Sequence, residues 1–231
     1  MKNHVSKVKK KLKVMQRTLL KDSVLSNDVA NLDFIPPFSN TEKISDVKLI
    51  FIGQDPTVRN EEARKKIKVT LNLDKENSLK KYLIRVCEIL QVDIEYEIYA
   101  TNLYKCFFTE PPANDERVLT RHFKIWMDFL IYELKEFKNP FVITLGEPLI
   151  KQLIHSNSKK VKYYWDYIGQ TKSGSNFKCN ESSENYLQRR IYPIAHQPNW
   201  SRNKFYKTYL NDYLTYLKRN ENLKSNAQQS L

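Results

Sequence analysis

Four short apolar runs, rich in β-branched and aromatic residues, lie at long intervals along the chain and predict four buried strands. They are residues 47–52, 96–101, 141–145 and 191–195. Segments with apolar residues at helical spacing separate the first three runs. Strands that alternate with helices are typical of parallel sheets built from βαβ units. The pattern therefore predicts an α/β fold: a three-layer sandwich with a central four-stranded, mostly parallel sheet flanked by helices.

Helical periodicity is clearest in residues 78–91 and 118–137, and it returns in residues 201–219 near the end of the chain. A shorter helix is predicted over residues 147–155. Each segment places apolar side chains on one stripe and charged side chains on the other, which is typical of helices that cover a sheet.

The first 21 residues carry eight Lys and Arg and no acidic residue, with apolar residues at helical spacing. They predict a basic amphipathic helix over residues 1–22. Three interpretations remain open: a helix packed on the domain, an arm on DNA phosphates, or a helix on a membrane surface. Residues 23–220 are expected to form one domain, and residues 221–231 a disordered tail.

Charge and composition narrow the function. The 231 residues have a net charge of +13, which favours a polyanionic partner, nucleic acid before membrane. No apolar run approaches the length of a membrane span, and the charged N-terminus does not resemble a secretory signal. Three cysteines without a CxxC pair suit a reducing compartment, so we expect a cytoplasmic protein that is neither membrane-bound nor secreted.

Polar side chains follow three of the predicted strands: Asp55, Asn102 and His196. Each alone has an ordinary explanation, as a turn or helix cap or as a half-buried histidine. Ligands of open parallel sheets bind beyond the carboxyl ends of the strands. A carboxylate, an amide and an imidazole at equivalent strand ends therefore predict one functional site.

Several motifs resemble uracil-DNA glycosylases. Gly53-Gln54-Asp55-Pro56 matches the start of the GQDPYH water-activating motif of family 1. The resemblance extends in order and spacing over about residues 45–210. It includes a helix start similar to SLKNIY (78–83), a strand end close to the TNVVKC of family 4 (100–106), the third strand (142–146) and a segment in place of the HPSPLS loop (195–201).

The resemblance implies roles for the strand-end residues. Asp55 would stabilise the cationic sugar and orient the attacking water. His196, as a neutral imidazole, would donate to uracil O2, with the backbone amides around Gln54 nearby. Asn102 would accept from N3–H and donate to O4, a pattern that cytosine reverses. Because water is the nucleophile, no metal or organic cofactor is expected.

The resemblance also implies contacts with DNA. A base inside a duplex must be flipped out, and Trp200 stands where the family has a leucine wedge. Anchoring of Trp200 in the core is the alternative. Further DNA contacts are expected from Ser78, Lys105, Ser201, Arg202 and Lys204.

Other positions depart from the family. Thr57 replaces the tyrosine that excludes thymine, and Leu71 or Leu73 replaces the aromatic residue that stacks on uracil; we assign Thr57 and Leu71 to substrate binding. Cys106 matches one ligand of the family 4 iron–sulfur cluster, but the other ligands are missing, so no cluster is expected.

The resemblance thus implies a monofunctional uracil-DNA glycosylase, with uracil-containing DNA, single- or double-stranded, as its partner. We expect a monomer, with a protein inhibitor or a replication protein as a further partner. Two alternatives stay open: a weakly active or inactive DNA-binding member of the same fold, and a nucleotide or nucleoside hydrolase.

Overall fold

The computed structural model describes residues 1–30, 34–56, 60–109, 116–155, 159–168, 171–172 and 176–228. Its elements in chain order are α1 (Lys2–Lys21), α2 (Ser23–Asn27), β1 (Leu49–Gly53), α3 (Glu61–Lys65), α4 (Ser78–Leu90), β2 (Ile98–Asn102), α5 (Glu116–Leu134), β3 (Phe141–Leu145), α6 (Glu147–Leu153), α7 (Val161–Tyr164), β4 (Tyr167–Ile168), β5 (Thr171–Lys172), β6 (Tyr192–Ile194), α8 (Gln197–Arg202) and α9 (Lys204–Gln228).

The four predicted strands form one sheet. Its order is β2-β1-β3-β6 and every neighbouring pair is parallel. The chain leaves β1 for β2 on one side and returns to β3 on the other, so the carboxyl ends of β1 and β3 flank a topological switch point. The predicted α/β fold with a four-stranded parallel sheet is confirmed.

Alternation along β1 builds the two outer layers. Leu49 and Phe51 pack on one face with α4, α7 and α9, while Ile50 and Ile52 pack on the other with α1 and α5. All five residues of β1 and of β2 are buried, as expected for strands covered on both faces. The result is the predicted three-layer sandwich.

Helix α1 packs on the α5 side of the sheet. Its buried residues are spaced three or four apart: His4, Val8, Leu12, Met15 and Leu19. The four apolar ones join the same core as α5 and β1. The apolar stripe is therefore covered by the domain, and the basic residues lie on the outward face.

The end of the chain differs from the prediction of one helix over residues 201–219. Helix α8 ends at Arg202, and α9 begins at Lys204. The side chain of Asn203 accepts a hydrogen bond from the Phe205 amide (3.0 Å), which is the contact of a helix N-cap. Helix α9 continues to Gln228 and so includes residues 221–228 of the segment predicted as a tail.

Among the described residues, no helix combines the length and the apolar character needed to cross a bilayer.

Candidate active site

A cavity of about 580 Å³ opens at the carboxyl edge of the sheet. Residues at the ends of all four strands line it: Gly53, Gln54 and Asp55 at β1, Asn102 at β2, Leu145 and Gly146 at β3, and His196 after β6. The structure thus brings the three predicted side chains, Asp55, Asn102 and His196, to one cavity. Its position is the switch point at which open α/β sheets bind ligands.

Asp55 is half-buried in the loop that leaves β1. The backbone of this loop continues the sheet, because Leu103 and Tyr104 donate to the carbonyl oxygens of Gly53 (2.9 Å) and Gln54 (2.8 Å). Burial raises the pKa of Tyr104 and of Cys106, and the nearby negative charge of Asp55 raises both further. Asp55 lines the same cavity as Asn102, the last residue of β2.

Asn102 is buried, with 1% of its surface exposed, beside Gly53 in the register of β1 and β2. Within the described part of the chain, its carboxamide oxygen and nitrogen have no hydrogen-bond partner. A Cβ at position 53 would clash with Asn102 Oδ1 and lie 2.9 Å from Leu71 Cδ2. Glycine at position 53 therefore provides the space that the carboxamide occupies.

His196 follows β6 at the mouth of the cavity. Gly146, at the end of β3, has φ +88°, and a Cβ there would lie 3.2 Å from His196 Cβ. His196 is exposed at the surface, but partial desolvation by the surrounding protein still lowers the pKa of its imidazole below the ordinary value. The ring is consequently neutral near pH 7 and can donate a hydrogen bond from one nitrogen.

A left-handed turn forms another part of the wall. Leu71 and Asn72 have φ of 57° and 53°, and both line the cavity. Leu73 instead lies in the core, so of the two leucines predicted in place of the stacking aromatic residue only Leu71 lines the cavity. Thr57, the other departure near the site, lies outside the described residues.

The chain also matches a known family. The model of the uracil DNA glycosylase superfamily matches residues 40–218, more than half of the chain. The chain belongs to the uracil-DNA glycosylase superfamily. No curated protein matches its sequence. Membership in this superfamily supports a DNA glycosylase, that is, a hydrolase of base excision repair, without specifying the base.

The residues predicted to contact DNA in this superfamily member differ in their exposure to solvent. Ser78 begins α4 and is exposed beside the cavity residues Asn77 and Leu79. Arg202 and Lys204 are exposed at the α8–α9 junction. At the same junction, the half-buried Ser201 donates to the carbonyl oxygen of Pro198 (3.0 Å).

Trp200 is packed rather than projecting as a wedge. Its ring stacks on Tyr82, with 4.8 Å between centroids and 27° between planes, and it packs against the core on the α4 side. The guanidinium of Arg85 lies 6.0 Å from the ring centroid. Trp200 is half-buried, so this packing favours the core-anchoring alternative, and the wedge stays a prediction.

The position of Lys105 contradicts the prediction that this residue contacts DNA. Its side chain is fully buried, so it is no surface contact for DNA. The Nζ atom lies 2.7 Å from Glu133 Oε2 on α5, which is also fully buried. Two sequence signals pointed to this pair: Lys105 stands within the apolar run 103–108, and Glu133 falls on the apolar stripe of its helix, with Trp126 and Leu130.

Other features of this glycosylase-superfamily site were also missed from the sequence. One is Asn72, which lines the cavity and whose Oδ1 atom is buried without a partner in the described part of the chain. The others are Gly53 and Gly146, which leave space for the Asn102 carboxamide and for His196 Cβ. The sequence signal for the two glycines was their scarcity, because two of the only four glycines in the chain stand at strand ends.

The described residues contain no cluster of three or more His, Cys, Asp or Glu arranged to hold a metal ion.

Proposed function

We propose that the protein hydrolyses the N-glycosidic bond of uracil in DNA and leaves an abasic site. The observation that supports this most is the convergence of Asp55, Asn102 and His196 on one cavity. The rest of the argument is the chemistry of these groups together with superfamily membership.

Cleavage of the bond between C1′ and N1 leaves positive charge on the sugar and negative charge on the base. The Asp55 carboxylate stabilises the sugar cation and orients the water whose oxygen bonds to C1′. The proton that this water loses passes to Asp55 and then to solvent, and the departing uracil anion takes up one proton from solvent. The neutral imidazole of His196 donates to uracil O2 as negative charge builds there. Each group acts where charge develops, so its effect is larger in the transition state than in the ground state.

Asn102 supplies base recognition in this proposal. A carboxamide that accepts from N3–H and donates to O4 fits uracil, and its two polar atoms have no partner among the described residues. Cytosine presents an acceptor at N3 and a donor at N4. The same amide orientation leaves both pairs mismatched, and unmatched buried groups reject a ligand strongly.

The test is uracil release from a single-stranded oligonucleotide, detected by alkaline cleavage at the abasic site. Asp55→Asn is expected to lower the rate by roughly 10²–10⁴-fold, the scale of a positioned acid–base group. Asp74→Asn, an exposed position outside the cavity, serves as the matched control and retains the wild-type rate. Full activity in Asp55→Asn refutes the mechanism.

A second candidate function is DNA binding without catalysis. Leu71 favours it, because an aliphatic side chain occupies the wall where the family stacks an aromatic ring on the base. Base–aromatic stacking contributes about 1–3 kcal/mol per base, so without it the protein binds a flipped nucleotide less tightly. Salt-dependent DNA binding with no base release from any uracil substrate supports this second function over the first.

A further inference from the structure

A lysine and a glutamate are completely buried beneath the strand end that carries Asn102. The ammonium of Lys105 has three N–H donors and contacts three acceptors: Thr101 Oγ1, the Asn102 carbonyl oxygen and Glu133 Oε2, the last at 2.7 Å. The other carboxylate oxygen of Glu133 accepts from Tyr99 Oη (2.7 Å) and Thr101 Oγ1 (2.9 Å). Every donor of the ammonium is therefore used.

Stability alone is a weak explanation for such a pair. Removing two charges from water costs about as much as their attraction returns, and apolar replacements are often neutral or stabilising. Consistent with this cost, burial lowers the pKa of Lys105, and Glu133 opposes that change. What an apolar pair cannot reproduce is the directed contact between Nζ and the Asn102 carbonyl oxygen.

The contact acts on the backbone of one cavity residue. Residues 99 and 101 point to the α5 side, where Glu133 lies, and strand alternation sends the Asn102 side chain to the opposite face. Leu103 and Tyr104 bind the carbonyl oxygens of Gly53 and Gln54 directly after it. The peptide unit that carries the carboxamide is thus held by the neighbouring strand and by the ammonium.

We propose that the Lys105–Glu133 pair is a positioning device for Asn102 and thereby controls which base the cavity accepts. Neither residue lines the cavity, so both act through the orientation of the Asn102 carboxamide. The inference rests on the proposed function, in which that carboxamide distinguishes uracil from cytosine. A misplacement of about 1 Å is enough to cost roughly 10²-fold in rate.

The main test is the double variant Lys105→Met/Glu133→Gln. It removes both charges and the contact to Asn102, while the Gln oxygen still accepts from Tyr99 and Thr101. We expect a folded protein whose kcat for uracil release falls by roughly 10²-fold. We also expect lower selectivity for uracil over cytosine in oligonucleotides that differ at one base.

A matched control separates positioning from loss of stability. Leu130→Ala removes buried volume from the same helix, one turn before Glu133, without touching a polar group of the network. At a temperature where circular dichroism shows both proteins folded, Leu130→Ala keeps the wild-type selectivity. Equal loss of selectivity in the control and the double variant overturns the proposal.

A double-mutant cycle with Asn102→Ala tests whether the Lys105–Glu133 pair affects kcat through Asn102. If the pair acts through Asn102, the decrease in kcat caused by Asn102→Ala largely disappears in the Lys105→Met/Glu133→Gln background. Decreases that multiply independently overturn the proposal. If that background does not fold, Thr101→Val takes its place in the cycle. This variant loosens the pair, because the ammonium loses one acceptor and Glu133 loses one donor while both charges stay.

A wild-type protein that releases no uracil would refute the proposed function but not the geometry. The side-chain amide signals of Asn102 in a ¹⁵N-labelled protein then decide the positioning claim. The claim requires these signals to shift in the double variant and to stay in place in Leu130→Ala. Unchanged Asn102 signals in the double variant overturn it.

Discussion

His196 shows how the position of one side chain adjusts its chemistry. His196 Cβ lies beside Gly146, and the absence of a side chain at position 146 allows this close approach. Burial lowers its pKa from the ordinary histidine value of 6.5. A lowered pKa means that the ring stays neutral at a more acidic pH than a free histidine in water would, and a neutral ring is what donation to O2 requires.

The pH profile of uracil release tests this. Because the folded-state pKa of His196 lies below 6.5, the acid limb of the kcat/KM profile is expected to have its midpoint below pH 6.5. His196→Ala is expected to lower the rate by roughly 10²–10³-fold, the scale of removing one donor to a developing anion. An acid limb centred above pH 6.5, or one unchanged in His196→Ala, contradicts this role for the imidazole.

At the scale of elements, the strands of the sheet and their helices were predictable and some local features were not. The four apolar runs predicted the strands because burial on both faces leaves no polar alternation. Asn203 interrupted the last helix through a local cap that apolar periodicity does not register. The burial of Lys105 depended on a glutamate 28 positions away, and such a pairing is visible only once the helix lies on the sheet.

In the candidate site, too, some residues were predictable from the sequence and others were not. Asp55, Asn102 and His196 were predictable because parallel strands end at one edge, and the topology brings their ends together. Trp200 was ambiguous because the same position can project toward DNA or pack on Tyr82, and stacking on Tyr82 is what the structure shows. Only the three-dimensional packing distinguishes those two environments.

The close contact of β1 with β2 gives a test at this scale. Gly53→Ala places a methyl group against Asn102 Oδ1 and Leu71 Cδ2. Overpacking of this kind costs about 1–3 kcal/mol of the free energy of unfolding, and displacement of the carboxamide should lower uracil release as well. Thermal denaturation and the alkaline-cleavage assay measure the two effects.

The variant Gly53→Ala/Leu71→Ala isolates the contact that matters. Removing the leucine side chain relieves one clash, so part of the stability should return while the clash with Asn102 remains. Activity that recovers together with stability would mean that Leu71, not the carboxamide, was disturbed by the methyl group.

At the scale of the whole molecule, positive charge is concentrated on one helix. Residues 1–21 contribute eight Lys and Arg and no acid to a net charge of +13. Helix α1 is also part of the core, so deleting it would expose the apolar surface that it shares with α5. Its outward charges are therefore best examined by substitution.

Neutralising Lys9, Lys10 and Lys13 to Gln is expected to weaken binding of a 30-nucleotide DNA duplex and to flatten its salt dependence. The slope of log affinity against log salt should decrease by about 0.9 for each phosphate that the helix no longer neutralises. The matched control neutralises three exposed lysines elsewhere, Lys43, Lys160 and Lys207. Identical slopes in the two triple variants would show that α1 makes no particular contribution to DNA binding.

The carboxamide of Asn102 couples base recognition to stability, because it has no hydrogen-bond partner among the described residues. A carboxamide that makes no protein hydrogen bond adds nothing to the fold that an aliphatic side chain would not add. A ligand that pairs with it binds the native state, and such binding raises the free energy of unfolding. Base choice and thermal stability of this protein are therefore linked through one side chain.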